Sequence, residues 1–173
     1  MGYPVSPLTI RPATIQDVPL IFEFIHGLAE YEKLSGEVTA TEERLRESLF
    51  GARPAAEVIV GAVAGVSAGF AVFYTNFSTF LGSPGVHLED LFVLPRFRGQ
   101  GLGEAMLRHL AGIAVERGCG RFEWSVLDWN DPAIRFYRKL GAEPLDGWTT
   151  FRLDRDAIRR LAEGGRLDQA DRA

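Results

Sequence analysis

Val86-His87-Leu88-Glu89-Asp90-Leu91-Phe92-Val93-Leu94-Pro95-Arg96-Phe97-Arg98-Gly99-Gln100-Gly101-Leu102-Gly103 is the stretch from which the rest of the chain can be read. Val86 to Leu94 is rich in β-forming residues and closes at Pro95, so it predicts a strand. Leu102, Met106, Leu110 and Ile113 then mark one face of a helix. Between the two lies a turn with glycine at every second position. The first turn of a helix leaves its backbone N–H groups without intrahelical partners. With the helix dipole behind them, those amides favour an anion by about 0.3–1 kcal/mol per charge. Gly99, Gly101 and Gly103 remove side chains that would keep a diphosphate from the backbone, and Arg98 adds a fixed positive charge. Three alternating glycines cost a helix start conformational entropy, which a bare structural corner has no reason to bear.

Two other phosphate loops do not fit. A nucleoside-triphosphate loop needs Gly-Lys-Ser/Thr, and none follows Gly103. A Gly-x-Gly-x-x-Gly dinucleotide turn needs glycine at position 104 or 106, where Glu104 and Met106 stand.

Working outward, Leu8 to Ile10 predicts a short strand that ends at Arg11-Pro12. Thr14 with Asp17 three residues on reads as a capping box. Val18 to about Leu34 carries apolar residues at helical spacing, and a second helix runs from Thr39 or Thr41 to Phe50, stopped by Gly51. Glu57–Ala64 and Ser67–Tyr74 read as a hairpin about Gly65, and Asn76 to Gly85 as loop. After the central helix, which ends at Gly118, Arg121 to Leu127 is a strand. Asp131-Pro132 opens another helix, stopped by Gly141. A last strand is expected near Thr149–Leu153, then a short helix from about Asp156. The order β-α-α-β-β-β-α-β-α-β with a trailing helix implies an α/β (α+β) domain, one sheet with helices packed on its faces.

Length and composition set bounds. The 173 residues, 46% hydrophobic and 24% charged, suit a single domain spanning 1–173. A net charge of −4, with no lysine/arginine stripe, argues against a nucleic-acid partner and leans toward an amine-bearing one. Cys119 stands alone, so the reducing cytoplasm is the expected compartment. No apolar run nears the ~20 residues of a membrane helix, and the N-terminus lacks a secretory pattern, so no membrane partner is expected. Met1-Gly2 with Ser6 matches the loose myristoylation pattern, which is short enough to arise by chance. His26 and His109 sit in helix patterns without metal-ligand spacing, so no metal is expected.

Arg98-Gly99-Gln100-Gly101-Leu102-Gly103 resembles the Arg/Gln-x-x-Gly-x-Gly/Ala signature of the GNAT acetyltransferase superfamily. Ile10 to Thr14 is similar to that family's first strand, and Asn130 to Ala142 to its second coenzyme-contacting motif. The resemblance covers nearly the whole chain, with a core of about 8–162. It implies a central, mixed, mostly antiparallel twisted sheet with helices on both faces, and acetyl-CoA as cosubstrate. By the same resemblance Leu91, Phe92 and Val93 contact the pantetheine arm and carbonyl at a bulged strand. Arg98, Gly99, Gln100, Gly101, Leu102, Gly103 and Glu104 hold the diphosphate, and Asn130, Asp131, Pro132, Ala133 and Tyr137 complete the cofactor site. Leu88 to Val93, Trp129-Asn130, Gly147-Trp148 and Tyr31-Glu32 resemble the diamine (spermidine/spermine and thialysine) branch. That likeness implies a small-molecule amine as partner, a homodimer, and acceptor contacts from Tyr31, Glu32, Glu89, Glu123, Trp124, Ser125 and Asp146.

Acetyl transfer to an amine requires a neutral nitrogen, a polarised carbonyl and a protonated leaving sulfur. An alkylammonium with a pKa of about 10.4 is neutral in only about one molecule in a few thousand at pH 7, a handicap of roughly 4–5 kcal/mol. An acidic, partly desolvated site offsets it. Glu89, on the strand that leads to the turn, is the candidate proton acceptor; a solvated strand carboxylate is the competing reading. Strand alternation puts Glu89, Leu91 and Val93 on one face. His87 and Asp90 differ by three, so aligning them requires a bulge. Tyr137, two turns into its helix, is the candidate acid; packing beside Phe136 competes with that role. Asn130 serves as a helix cap with or without a cofactor. Trp129 and Trp148 suit either an amine channel or packing. Three activities remain open: acetylation of a diamine, polyamine or thialysine-like amino acid; acetylation of an aminoglycoside or protein N-terminus; and coenzyme sensing without turnover. Glu89 with Tyr137 argues against the last.

Overall fold

Two strands that meet at Ala64 and Gly65 set the pattern of the sheet. Both turn residues are left-handed (φ 49° and 80°), the geometry of a tight two-residue hairpin between twisted strands. They join β2 (Glu57–Val63) to β3 (Val66–Ser78). The computed structural model describes residues 7–164, and the Met1-Gly2/Ser6 pattern lies outside them. The chain forms two compact units, one up to Ser125 and one from Val126.

The first unit holds a five-stranded sheet in the order β1-β2-β3-β4-β5, completed by β1 (Leu8–Pro12), β4 (Ser83–Val93) and β5 (Arg121–Trp124). Every pairing is antiparallel except β4 with β5. The mixed, mostly antiparallel sheet is therefore as expected. Helices α1 (Val18–Glu32) and α2 (Glu42–Phe50) lie on one face. There Ile21 and Phe24 of α1 pack with Val58, Phe70 and Phe92, and Leu45, Leu49 and Phe50 of α2 close the cluster. Each such buried side chain contributes roughly 1.5–3 kcal/mol of transfer free energy. Helix α3 (Leu102–Glu116) covers the other face with Leu102, Met106 and Leu110. A Cβ on Gly61 would stand 2.8 Å from Leu102 Cδ1, so this glycine sets how closely α3 approaches the sheet.

The capping box forms at the entry to α1. Thr14 donates its amide to Asp17 Oδ2 at 2.7 Å, and Arg11 grips the same carboxylate with two bonds of 2.7 Å. The Arg11 hydrogen bonds, with those from Thr14, hold the Asp17 carboxyl well below the usual carboxylate range.

Three expectations need correction. Asn76 to Gly85 is not all loop: β3 and β4 stay paired out to Ser78↔Ser83. Pro84 and Gly85 read as breakers, yet Gly85 is the residue that lets Asn76 and Arg121 cross it, since a Cβ there would lie 2.5 Å from Asn76 Oδ1. The strand expected to reach Leu127 stops at Trp124, because its partner β4 bulges immediately after the Leu88↔Trp124 pair. No strand forms at Thr149–Leu153 among the described residues. Phe151 is 91% exposed there; alternation supplies the pattern, but a strand also needs a neighbour's ladder.

The second unit carries α4 (Asp131–Lys139) and α5 (Arg155–Ala162). Asn130 caps α4 by accepting from the Ala133 amide at 3.4 Å, with Pro132 in the first turn; Asp154 caps α5 by accepting from Ala157 at 2.7 Å.

Candidate active site

The site begins where β4 loses one neighbour. Asp90 pairs with Val72 while Leu88 pairs with Phe73, which leaves Glu89 as the extra residue of a bulge. On its other edge β4 pairs with β5 only as far as Leu88. From Glu89 to Val93, then, β4 has β3 on one side and, among the described residues, no strand on the other. Leu91 and Val93 face α3's side of the sheet, opposite Ala71 and Gly69, and Phe92 enters the α1-side core. The backbone groups on this edge lie outside the β3 ladder and lead toward the glycine turn, where the Val93 carbonyl accepts from Arg98 Nε.

That turn comprises a 3-10 segment at Pro95–Phe97, extended Arg98, left-handed Gly99 (φ 75°) and left-handed Gly101 (φ 85°), which caps α3. Ala105 donates the first intrahelical bond, to Gly101, so the amides ahead of it through Glu104 have no partner within the helix. The turn is uncrowded at its glycines: nothing lies within 4 Å of a Cβ built on Gly99, and only a Leu8 methyl, at 3.9 Å, near one on Gly101. Gln100 reaches back to the Arg96 carbonyl at 3.4 Å, Leu102 is buried, and Glu104 pairs with Arg108. Arg98 donates Nε–H to the Val93 carbonyl at 2.9 Å and lays its guanidinium 4.4 Å over the Tyr31 ring. It thereby fastens the turn to both β4 and α1.

The bulge also decides which side chains gather beside this edge. His87 pairs with Tyr74, Asp90 with Val72 and Phe92 with Phe70, so all three β4 residues share the α1-side face despite their uneven spacing. Burial first, and then the neighbouring charges of Glu89 and Glu32, push the Asp90 carboxyl up to about 6. Burial likewise raises the Glu32 carboxyl. Burial and the Glu89 charge raise the Tyr74 phenol. On β5, Glu123 stands in register beside His87 on that face, with Arg121 Nε at 3.0 Å and Asn76 Nδ2 at 3.5 Å. Trp124 is on the opposite face, edge-on to Phe122 at 5.0 Å, as alternation requires, and exposed Ser125 follows the strand.

Of the residues singled out from sequence, Glu32, Glu89 and Glu123 therefore edge one polar face, with Tyr31 beside it at the end of α1. His87, Asp90 and Tyr74 join them there, although none had been assigned a role. In the second unit, Asn130, Asp131, Pro132, Ala133 and Tyr137 share the start and middle of α4, with the Tyr137 ring 5.4 Å from Phe136. Asp146 and Trp148 are exposed in the segment after it. Among the described residues no cluster of side chains is arranged to hold a metal ion, and no helix is long and apolar enough to cross a membrane.

This arrangement has known counterparts. Residues 25–142 match the acetyltransferase (GNAT) family. Thialysine N-epsilon-acetyltransferase of Mus musculus is 38% identical over 88% of this chain and 96% of its own. L-ornithine N5-acetyltransferase of Arabidopsis thaliana is 32% identical over 88% of this chain and 86% of its own. Among solved structures, an integron cassette protein from the mobile metagenome of V. cholerae superposes with a TM-score of 0.75 at 26% identity, covering 90% of this chain and 98% of that one. Family match, relatives and fold agree: the chain is an N-acetyltransferase of the GNAT family, and its likeness is to the diamine acetyltransferase branch.

Proposed function

We propose that the protein transfers the acetyl group of acetyl-CoA to a primary amine of a small molecule, a diamine, polyamine or thialysine-like amino acid, by direct attack in a ternary complex. The observation that carries this reading is the continuity of three features within one unit: a carboxylate-rich bulge at Glu89, an unpaired strand edge at Leu91–Val93, and the open amide turn at Gly99–Glu104. Acetyl-CoA fits that order, with an acyl group, a pantetheine arm carrying amides, and a diphosphate in sequence along it. The relatives named for thialysine and ornithine acetylation support the choice of acceptor.

The cosubstrate supplies an acyl group activated as a thioester. The amides from Gly99 to Glu104 hold its diphosphate, and Arg98 fixes the turn that presents them. The Leu91, Phe92 and Val93 segment lies along the pantetheine arm, and those of its N–H and C=O groups that face away from β3 meet the arm's amides and the thioester carbonyl, the Val93 carbonyl excepted, which Arg98 holds. Asn130, Asp131, Pro132 and Ala133 add contacts from the start of α4. Glu89, with Glu32, Glu123, Asp146 and Tyr31, attracts the cationic acceptor and Ser125 lines its approach, whereas Trp124 turns to the opposite face of the sheet. Glu89 then takes the ammonium proton, freeing a nitrogen lone pair to form the new C–N bond. As the C–S bond breaks, Tyr137 donates its phenolic proton to the departing sulfur, and the second proton shed by the acylated nitrogen restores the phenol through solvent. The family match over residues 25–142, which runs past Ser125, supports reading the chain as a single domain. Homodimerisation and a cytoplasmic location complete the reading.

Free thiol released from acetyl-CoA is to be measured against thialysine, ornithine, spermidine, an aminoglycoside and a peptide N-terminus. Release that depends on one of the first three is expected. Coenzyme binding with no release from any amine would instead mark a sensor.

A further inference from the structure

Arg121 is a cation beside the acidic face, and a glycine sets its place. It opens β5 opposite Gly85, and a Cβ on that glycine would meet Arg121 Cγ at 2.7 Å, so the side chain lies across the bare backbone of β4. Its Nη2 donates to the Phe77 carbonyl of β3 at 3.2 Å, and its Nε lies 3.0 Å from Glu123 Oε2. That last contact is an ion pair by distance but is misaligned for a hydrogen bond, which leaves the buried Nε–H without an acceptor. Asn76 Oδ1, beside it over Gly85, is buried without a donor. The Arg121 and Glu123 side chains themselves stay 33% and 30% exposed. Buried polar atoms are seldom left unsatisfied, so this cluster is an ion pair with bonding capacity to spare.

The pair lies in line with the reacting end of the site. Glu123 is in register with His87, and Glu89 Oε2 lies 4.0 Å from His87 Nε2, so the imidazole separates the carboxylates of Glu89 and Glu123 on one face. Two residues along β4 and one strand across put them roughly 8 Å apart. A chain of about four or five atoms between two amines, at about 1.5 Å per bond, bridges that span. The His87 ring that lies between, stacked on Tyr74 at 4.9 Å, suits methylene groups.

We propose that Arg121 and Glu123 form a subsite for the zwitterionic head of a basic α-amino acid, and that this subsite selects an amino-acid acceptor over a polyamine. The inference rests on the proposed acetylation of an amine at Glu89. The α-ammonium takes the Glu123 carboxylate, and the α-carboxylate takes the Arg121 guanidinium, whose planar fork matches it. The side-chain amine then reaches Glu89. A polyamine nitrogen that takes Glu123 strips Arg121 of its counter-ion and supplies no anion in return. A site built for a polar group rejects the analogue that lacks it, because the site's own groups are then left unpaired.

The test compares ornithine with putrescine, which keeps the spacing of ornithine's two amines and lacks only the carboxylate. Thiol release from acetyl-CoA is to be followed with the wild type, Arg121→Gln and Arg121→Lys. The wild type should favour ornithine in kcat/KM by roughly ten- to a hundredfold. Arg121→Gln should bring the ratio near one through the KM for ornithine, and Arg121→Lys should keep part of the preference. Equal use of the two acceptors by the wild type, or a preference for putrescine, would overturn the subsite without recourse to any variant. So would an Arg121→Gln protein that loses rate with both acceptors alike and keeps their ratio, the mark of an arginine that only holds the sheet together. Thiol release with no amine at all would instead remove the proposed acetylation, and the subsite with it.

Discussion

Asp90 stands opposite Val72, on the face of the sheet covered by α1, two residues after Leu88 has paired with Phe73 on the face covered by α3. The bulge that brings this about buries a carboxyl between Glu89 and Glu32, and the cost should appear in the pH dependence of stability. The Asp90 carboxyl rises from 3.8 to about 6 on folding, so the folded state binds its proton more tightly than the unfolded state does. Stability from this group is full below the unfolded value and is lost as pH rises through about 6. Asp90→Asn should therefore be more stable than the wild type at pH 7.5, by about 1–3 kcal/mol. The advantage should fade below pH ~4. Thermal melts of both proteins across that range check it.

Asp17 carries the opposite sign. The Arg11 hydrogen bonds depress its carboxyl, so its contribution is present above the unfolded value of 3.8 and is lost as pH falls toward the lower, folded one. Asp17→Asn should be less stable than the wild type at pH 7 by on the order of 1 kcal/mol, a modest figure because Arg11 is half exposed to screening solvent. In denaturant titrations the gap should narrow as the buffer is taken toward pH ~2.

The turn at Gly101 can be strained without touching the core. Its φ of 85° is a conformation that side chains resist, so Gly101→Ala should destabilise the protein by about 1–2 kcal/mol. Because the amides would shift as well, the same variant should weaken coenzyme A binding in calorimetry. A variant with native affinity would mean that the turn does not hold the diphosphate.

The proton donation proposed for Tyr137 can be tested apart from coenzyme binding. Tyr137→Phe keeps the ring beside Phe136 but removes the proton, so kcat should fall by roughly ten- to a hundredfold while coenzyme affinity stays near that of the wild type. Stopped-assay rates together with calorimetry separate the two quantities. An unchanged rate would take Tyr137 out of the mechanism.

Much of this was legible in the sequence where local chemistry governs. Gly99 and Gly101 announced the turn, Asn130 and Thr41 the helix starts, and Gly65 the hairpin, because each meets a need within a few residues of itself. Relations that depend on a partner strand were not legible. The uneven spacing of His87 and Asp90 signalled that a bulge was required, but only the pairing with β3 shows that it falls at Glu89 and gathers His87, Asp90 and Tyr74. The end of β5 at Trp124 follows from β4's bulge rather than from β5's own residues. Phe151 and Leu153 alternate like a strand, yet pattern alone cannot supply a neighbour to pair with.

The most direct test of the central claim is calorimetric titration of the protein with coenzyme A and, separately, with pantetheine, which lacks the diphosphate. If the amides from Gly99 to Glu104 grip the diphosphate, coenzyme A should bind with a Kd within the ordinary cosubstrate range of about 1 μM to 1 mM. Pantetheine should bind far more weakly. Equal affinity for the two, or no affinity for coenzyme A, would contradict the account.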